Sequence, residues 1–301
     1  MKLYGRERYL SEMRGFYHSN DLIKVISGIR GAGKTSILHL IADELSKEGV
    51  EDSNIIYFDF ENADYSGIRT PDFLDALLDT TLSLRGDKYL LLDEIHHIHG
   101  FEEVINSFRA EGDYSIFITS SNGCLLEKEI TTVLTGRYLE FRIGTLSLDE
   151  FIETRRYRNL PVSEDTETES REYLQYGCLP AVLDLETAEE RKTYIRHLME
   201  NNYRTVIKPF LKSKERKDFN KLWSFLCTHF NTALSIDQIA SLLYEDIEIK
   251  LTSTKLYRYL EIMENAGILI TTRTNSKKIY GIAHPSFALS SDLEETASFP
   301  R

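Results

Sequence analysis

From residue 22 to residue 143 the chain alternates short apolar runs with longer stretches whose apolar residues recur every three or four positions. Leu22–Ser27 is rich in β-branched and apolar types and predicts a buried strand, and further strands are predicted over 54–60, 89–92, 114–119 and 138–143. Between them, Ile37, Leu38, Leu40, Ile41 and Leu45 share one face of a helix over 34–48. Pro71 opens a second helix with Phe73, Leu74, Leu77 and Leu78 inward, Ile105 and Phe108 mark a third, and residues 125–134 a fourth. Strands alternating with helices predict an α/β fold with a mostly parallel sheet covered on both faces.

Beyond Ser147–Glu153 the pattern changes. The acidic, polar stretch from Ser163 to Arg171 reads as a mobile loop, and helix follows helix from there. The last of these form a compact set: Phe219–Phe230, then Ile236–Leu243 capped by Ser235, then a helix capped by Thr252 or Ser253 with Leu256, Tyr259, Leu260 and Met263 on its inner face. A hairpin of 268–272 and 278–282 across Asn275 and Ser276 completes the layout of a winged helix. The tail after His284 reads as irregular.

Composition narrows the setting. No apolar run approaches the roughly 20 residues that cross a bilayer, the N-terminus lacks the apolar core of a signal peptide, and no membrane partner is expected. Cys124, Cys178 and Cys227 match no metal or disulfide spacing, which points to reduced thiols and a cytoplasmic location. The formal net charge of −12 argues against a molecule that coats nucleic acid. Residues 191–280 nevertheless hold 16 Lys or Arg against 9 Asp or Glu, an asymmetry that suggests two modules with different partners.

The strongest chemical signal is Gly28-Ile29-Arg30-Gly31-Ala32-Gly33-Lys34-Thr35, which fits G-x-x-x-x-G-K-[ST] between a strand and a helix. Its glycines let backbone N–H groups curl around phosphate oxygens, and the positive end of the following helix faces the same anion. Residues 28–36, Ser36 included, are therefore the expected nucleotide-binding segment, with Lys34 neutralising the β- and γ-phosphates of ATP and Thr35 ligating Mg²⁺. Tyr89–Glu94 is an apolar strand ending in two acids. Asp93 is expected to hold Mg²⁺ and Glu94 to polarise the attacking water. Thr119 to Asn122 offer polar groups at the end of the fourth strand, and Ser121 and Asn122 stand as equal candidates for contact with the γ-phosphate or the water. Arg137, after Gly136, either caps a helix C-terminus or reaches a neighbouring subunit's γ-phosphate. His96, His97 and His99 lack cysteine partners at ligand spacing and are read as residues of the nucleotide cleft or its surface.

With these residues in hand the chain resembles the AAA+ superfamily, and within it a group of bacterial and archaeal ATP-binding proteins. The resemblance spans residues 1–283 and rests on Val25–Thr35, Tyr57–Glu61, Leu92–Ile95, Thr119–Asn122, Leu134–Arg137, Leu146–Phe151 and Tyr176–Pro180, where Cys178 stands in place of the group's usual second glycine. It implies a P-loop ATPase domain over 1–153 with sheet order 5-1-4-3-2, a helical lid and connection over 154–212, a winged helix over 213–283 and an irregular tail over 284–301. It also implies a sensor role at Ser121 or Asn122 and an arginine-finger role for Arg137. Many relatives of the group continue into a nuclease-like domain; this sequence stops at Arg301, and no nuclease chemistry is expected.

Three functions compete. One is a slow Mg-dependent ATPase that acts as a switch, changing the position of its lid and winged helix for a protein client to read, with a homo-oligomer also open. Another is a nucleotide-regulated DNA-binding protein using Lys250, Lys255, Arg258, Arg273, Lys277 and Lys278. The third, a small-molecule kinase, requires an acceptor pocket and a basic lid that the sequence does not offer. The guanine-reading N-K-x-D pattern is absent, which favours ATP.

Overall fold

The computed structural model describes residues 3–62, 64, 69–123, 134–177, 179–230, 232–274 and 277–290. It divides into two compact units, one of Met1–Gly28 with Gly33–Ile143, the other of Ile29–Ala32 with Gly144–Arg301.

The first unit is built on five parallel strands: β1 (Ile23–Ser27), β2 (Ile55–Asp59), β3 (Lys88–Asp93), β4 (Tyr114–Ser120) and β5 (Tyr138–Arg142). Their order is β2-β3-β4-β1-β5, the 5-1-4-3-2 arrangement expected. The three inner strands are buried at every position, which is why they read as continuous apolar runs rather than alternating ones. Helices α1 (Glu7–Arg14), α2 (Lys34–Lys47), α3 (Pro71–Asp79) and α4 (Phe101–Glu111) flank the sheet sequence. Thr70 caps α3 through the Phe73 N–H, with Pro71 at the first helical position, where its missing N–H costs nothing. Leu74 and Leu78 of α3 and Phe101, Ile105 and Phe108 of α4 join Ile23, Val25, Leu90, Leu92, Ile116 and Ile118 in one core. The helix expected over 125–134 falls almost wholly outside the described residues.

Parallel pairing gathers the strands' C-terminal ends at one edge. Ser27 pairs with both Ser120 and Arg142, and Asp59 pairs with Asp93. The residues immediately after β1, β3 and β4 therefore share that edge, the usual ligand side of such sheets.

The second unit contains α5 (Leu148–Tyr157), α6 (Thr166–Tyr176), α7 (Ala188–Asn202), α8 (Arg216–Thr228), α9 (Ile236–Ile247) and α10 (Ser253–Asn265). Helix α6 corrects the expectation of a mobile loop over 163–171. Asp165 accepts hydrogen bonds from the Glu167 and Thr168 N–H groups, and buried Glu169 pairs with Arg155 of α5 at 2.8 Å. The acidic composition that read as solvated thus supplies a cap and a tertiary ion pair. Short strand β6 (Leu234–Ser235) pairs with β8 (Lys277–Ile282), which pairs with β7 (Leu269–Thr274), in an antiparallel sheet of order β6-β8-β7. Ser235 and Gln238 form a capping box on α9, and Thr252 caps α10. Trp223 of α8 and Tyr259 of α10 are completely buried. The turn residues 275–276 lie outside the described residues. The tail is not irregular at its start: Pro285–Ser290 is a 3-10 helix that buries Phe287, and His284 is locked by the Ser286 hydroxyl at 2.8 Å.

Among the described residues no helix is long and apolar enough to cross a membrane.

Candidate nucleotide site

The edge defined by the ends of β1, β3 and β4 carries a buried polar cluster. Gly28 leaves β1 at φ +147°, and a Cβ there would stand 2.2 Å from the Ile143 carbonyl oxygen, so only glycine fits this crossing. Gly31 and Gly33 also have positive φ, at +80° and +96°. Gly33 precedes α2 in the left-handed conformation, so Lys34, Thr35 and Ser36 form that helix's first turn, where unpaired N–H groups and the helix dipole favour an anion. Between these glycines, the Ala32 N–H donates to the Ile29 carbonyl at 3.1 Å, and Ile29 and Ala32 are buried while Arg30 is exposed.

Lys34 is buried, 3% exposed, with its Nζ 3.2 Å from Oε1 of Glu94. The other carboxylate oxygen of Glu94 accepts from the Ser121 N–H at 2.7 Å and the Ser121 hydroxyl at 2.8 Å. The Glu94 backbone is left-handed at φ 52°, a conformation a non-glycine residue holds at a cost of about 1–2 kcal/mol. That turn is pinned by its own N–H, which donates to the Thr119 hydroxyl at 2.8 Å. Burial pushes the Glu94 carboxyl up, but the Lys34 ammonium, His96 and the Ser121 N–H outweigh it and hold the group well below the usual carboxylate range.

Asp93 is equally constrained. Thr119 donates its hydroxyl to Oδ1, and Tyr57 donates to Oδ2 at 3.1 Å. Burial and the Asp93 charge raise the Tyr57 hydroxyl, which therefore stays a donor at any ordinary pH. A buried carboxylate held by two donors is a hard-oxygen ligand of the kind that suits Mg²⁺, and Thr35, in the first turn of α2, is the second oxygen ligand the loop offers.

Of the two residues left open at the end of β4, Ser121 meets Glu94, while the Asn122 N–H is tied back to the Ser120 hydroxyl at 3.1 Å. Arg137 is not brought to this edge. It precedes β5, its carbonyl accepts from the Ile23 N–H at 2.9 Å, and its guanidinium donates to Asn106 of α4 at 3.1 Å. It thus sits by the start of β1, about 16 Å along the strand from Gly28. Tyr57 and His96 were not singled out for this chemistry from the sequence. The register that pairs Asp59 with Asp93 is what brings Tyr57 to Asp93, since residues two apart on a strand share a face.

Residues 20–152 match the family described as AAA domain, and residues 167–281 match a domain of unknown function. The chain is 28% identical to an uncharacterized protein of Haemophilus influenzae over 267 residues, 88% of this chain and 65% of that protein. It is 29% identical to an uncharacterized protein of Methanocaldococcus jannaschii over 271 residues, 87% of this chain and 59% of that protein. This chain therefore spans less than two thirds of the length of both relatives. A Walker-type ATPase of Pyrococcus abyssi superposes with a TM-score of 0.61 over 96% of this chain and 95% of that one, at 17% identity, a likeness of fold. The family match and the sheet order agree on the same segment: residues 20–152 carry an AAA domain, built on the five-stranded parallel sheet.

Proposed function

We propose that the chain binds Mg-ATP at the ends of β1, β3 and β4, hydrolyses it slowly, and acts as a switch through its C-terminal module. The observation that carries this reading is the buried Lys34–Glu94–Ser121 cluster beside Asp93, because it couples the lysine of the glycine loop directly to the carboxylate that would orient water. ATP draws Lys34 onto the β- and γ-phosphates, which removes the largest charge holding Glu94 down. Glu94 then becomes a better acceptor for the attacking water's proton, while Ser121 keeps hold of its Oε2. Thr35 and Asp93 would hold Mg²⁺, which would supply charge neutralisation at the phosphate oxygens. Arg137 acts only on a neighbouring copy, given its distance from its own Gly28, so full activity requires self-assembly.

Residues 216–282 run helix, strand, two helices and hairpin, the order of a winged helix, and we assign that module to contact with a protein client. DNA is the weaker alternative. Three of the six basic residues it needs are already committed: Lys255 to Asp218, Arg258 to Glu215 and Lys278 to Glu264. Exchanging such pairs for phosphates returns little net attraction.

Phosphate release from ATP tests the reading. Turnover is expected with Mg²⁺ and lost on chelation with EDTA, then restored by excess Mg²⁺. Turnover unaffected by EDTA would contradict the role given to Thr35 and Asp93.

A further inference from the structure

We propose that His96 is a positioning residue for Glu94, an inference that rests on the ATPase reading and names the group that fixes its water-orienting carboxylate. The residue lies in the turn Ile95–His97 that follows directly on β3. The left-handed backbone at Glu94 folds the chain back, so that the side chain two residues on returns to the carboxylate it follows. Nδ1 of His96 stands 3.1 Å from Glu94 Oε2, the oxygen that also takes both Ser121 donors. Its approach is close but off the line of a good hydrogen bond, and the atom is buried without any other partner. In the tautomer that carries its proton on Nδ1, a buried imidazole so close to a carboxylate gains by a small turn into alignment.

The ring is held for that purpose from behind. His97 stacks on it with ring centroids 4.4 Å apart and planes 28° from parallel. His96 is 13% exposed at its side chain, so water competes weakly for Nδ1. The consequence follows from the division of the Glu94 carboxylate. Oε1 is held by Lys34, which the phosphates will claim; Oε2 is held by Ser121 and faced by His96, which they will not. Once Lys34 leaves, Ser121 alone leaves the carboxylate free to rotate about its axis through the single anchored oxygen. A second contact on Oε2, from the β3 side rather than the β4 side, removes that freedom. His96 acts through Glu94, as outer-shell partners do when they hold a reacting group.

The test compares wild type, His96→Ala and His96→Asn, whose side-chain amide places a donor near the Nδ1 position. Steady-state ATP turnover is measured beside equilibrium binding of Mg²⁺ with a non-hydrolysable ATP analogue. His96→Ala is expected to lower kcat by about tenfold to a hundredfold, the range for outer-shell partners. KM and analogue affinity are expected to stay within about twofold, as for a contact that matters in the transition state. His96→Asn is expected to recover most of the lost kcat. Wild-type turnover in His96→Ala would overturn the inference. So would parallel loss of analogue binding and turnover in both variants, which marks a residue that only supports the fold. A wild-type protein that binds the analogue yet never releases phosphate would count against the ATPase reading instead, and so separates the two failures.

Discussion

Replacing Glu94 with Gln is expected to cut ATP turnover by about a hundredfold or more while leaving Mg-ATP binding intact. Loss of a general base or water-orienting carboxylate costs on that order, about 2.7 kcal/mol of transition-state stabilisation. Binding should not suffer, and the geometry argues that it tightens. In the wild type Lys34 must exchange its 3.2 Å pairing with Glu94 for the phosphates. Glutamine removes the negative charge from that competition and from the neighbourhood of the triphosphate. It still offers an oxygen to the Ser121 N–H and hydroxyl, so the turn at φ 52° keeps its partner. Single-turnover phosphate release beside equilibrium titration separates the two effects. A Glu94→Gln protein with wild-type turnover would remove Glu94 from the chemistry. One that failed to bind would make it a structural residue.

Gly28→Ala is expected to be the most damaging small substitution in the first unit. Its Cβ would arrive 2.2 Å from the Ile143 carbonyl oxygen, a backbone atom that cannot step aside as a side-chain tip could. Ile143 donates its own N–H to the Ser27 carbonyl at 2.7 Å, so moving it breaks the end of the β1–β5 pairing. The φ of +147° adds strain for any L side chain. Together the overlap and the strain are expected to cost about 3 kcal/mol, which lowers a urea midpoint by about 1 M or more. Mg-ATP binding is expected to fall with it, because the loop leaves β1 at this residue. An unchanged midpoint would show that the crossing of Gly28 and Ile143 is looser than its geometry.

What was legible beforehand has a physical pattern. The inner strands and the helices that became α2, α3 and α4 announced themselves because burial on both faces of β1, β3 and β4 leaves uninterrupted apolar runs, and burial on one face leaves a 3.6-residue period. The glycine loop was legible because its positive-φ turns admit little but glycine at Gly28, Gly31 and Gly33. Helix α6 was not, because what stabilises it is the Asp165 cap together with a buried contact to Arg155, fourteen residues before its partner Glu169. The same limit applied within the site. Ser121 and Asn122 carry similar hydrogen-bonding groups, and only the left-handed turn at Glu94 decides which one meets the carboxylate. Tyr57 joins Asp93 through strand register, and His96 joins Glu94 through a backbone turn; neither relation has a spacing that composition reveals. Arg137 shows the converse, a residue named from its chain position that the fold places by the start of β1, away from the edge where the glycine loop begins.

The decisive measurement is calorimetric titration of Mg-ATP into the wild-type protein and into Lys34→Ala. Saturable binding is expected in the wild type. The variant is expected to bind about tenfold to a hundredfold more weakly, since a hydrogen bond to a charged group is worth about 1.5–3 kcal/mol. A wild type that gives no saturable heat, or a variant that binds as tightly as its parent, would contradict a phosphate site at the end of β1.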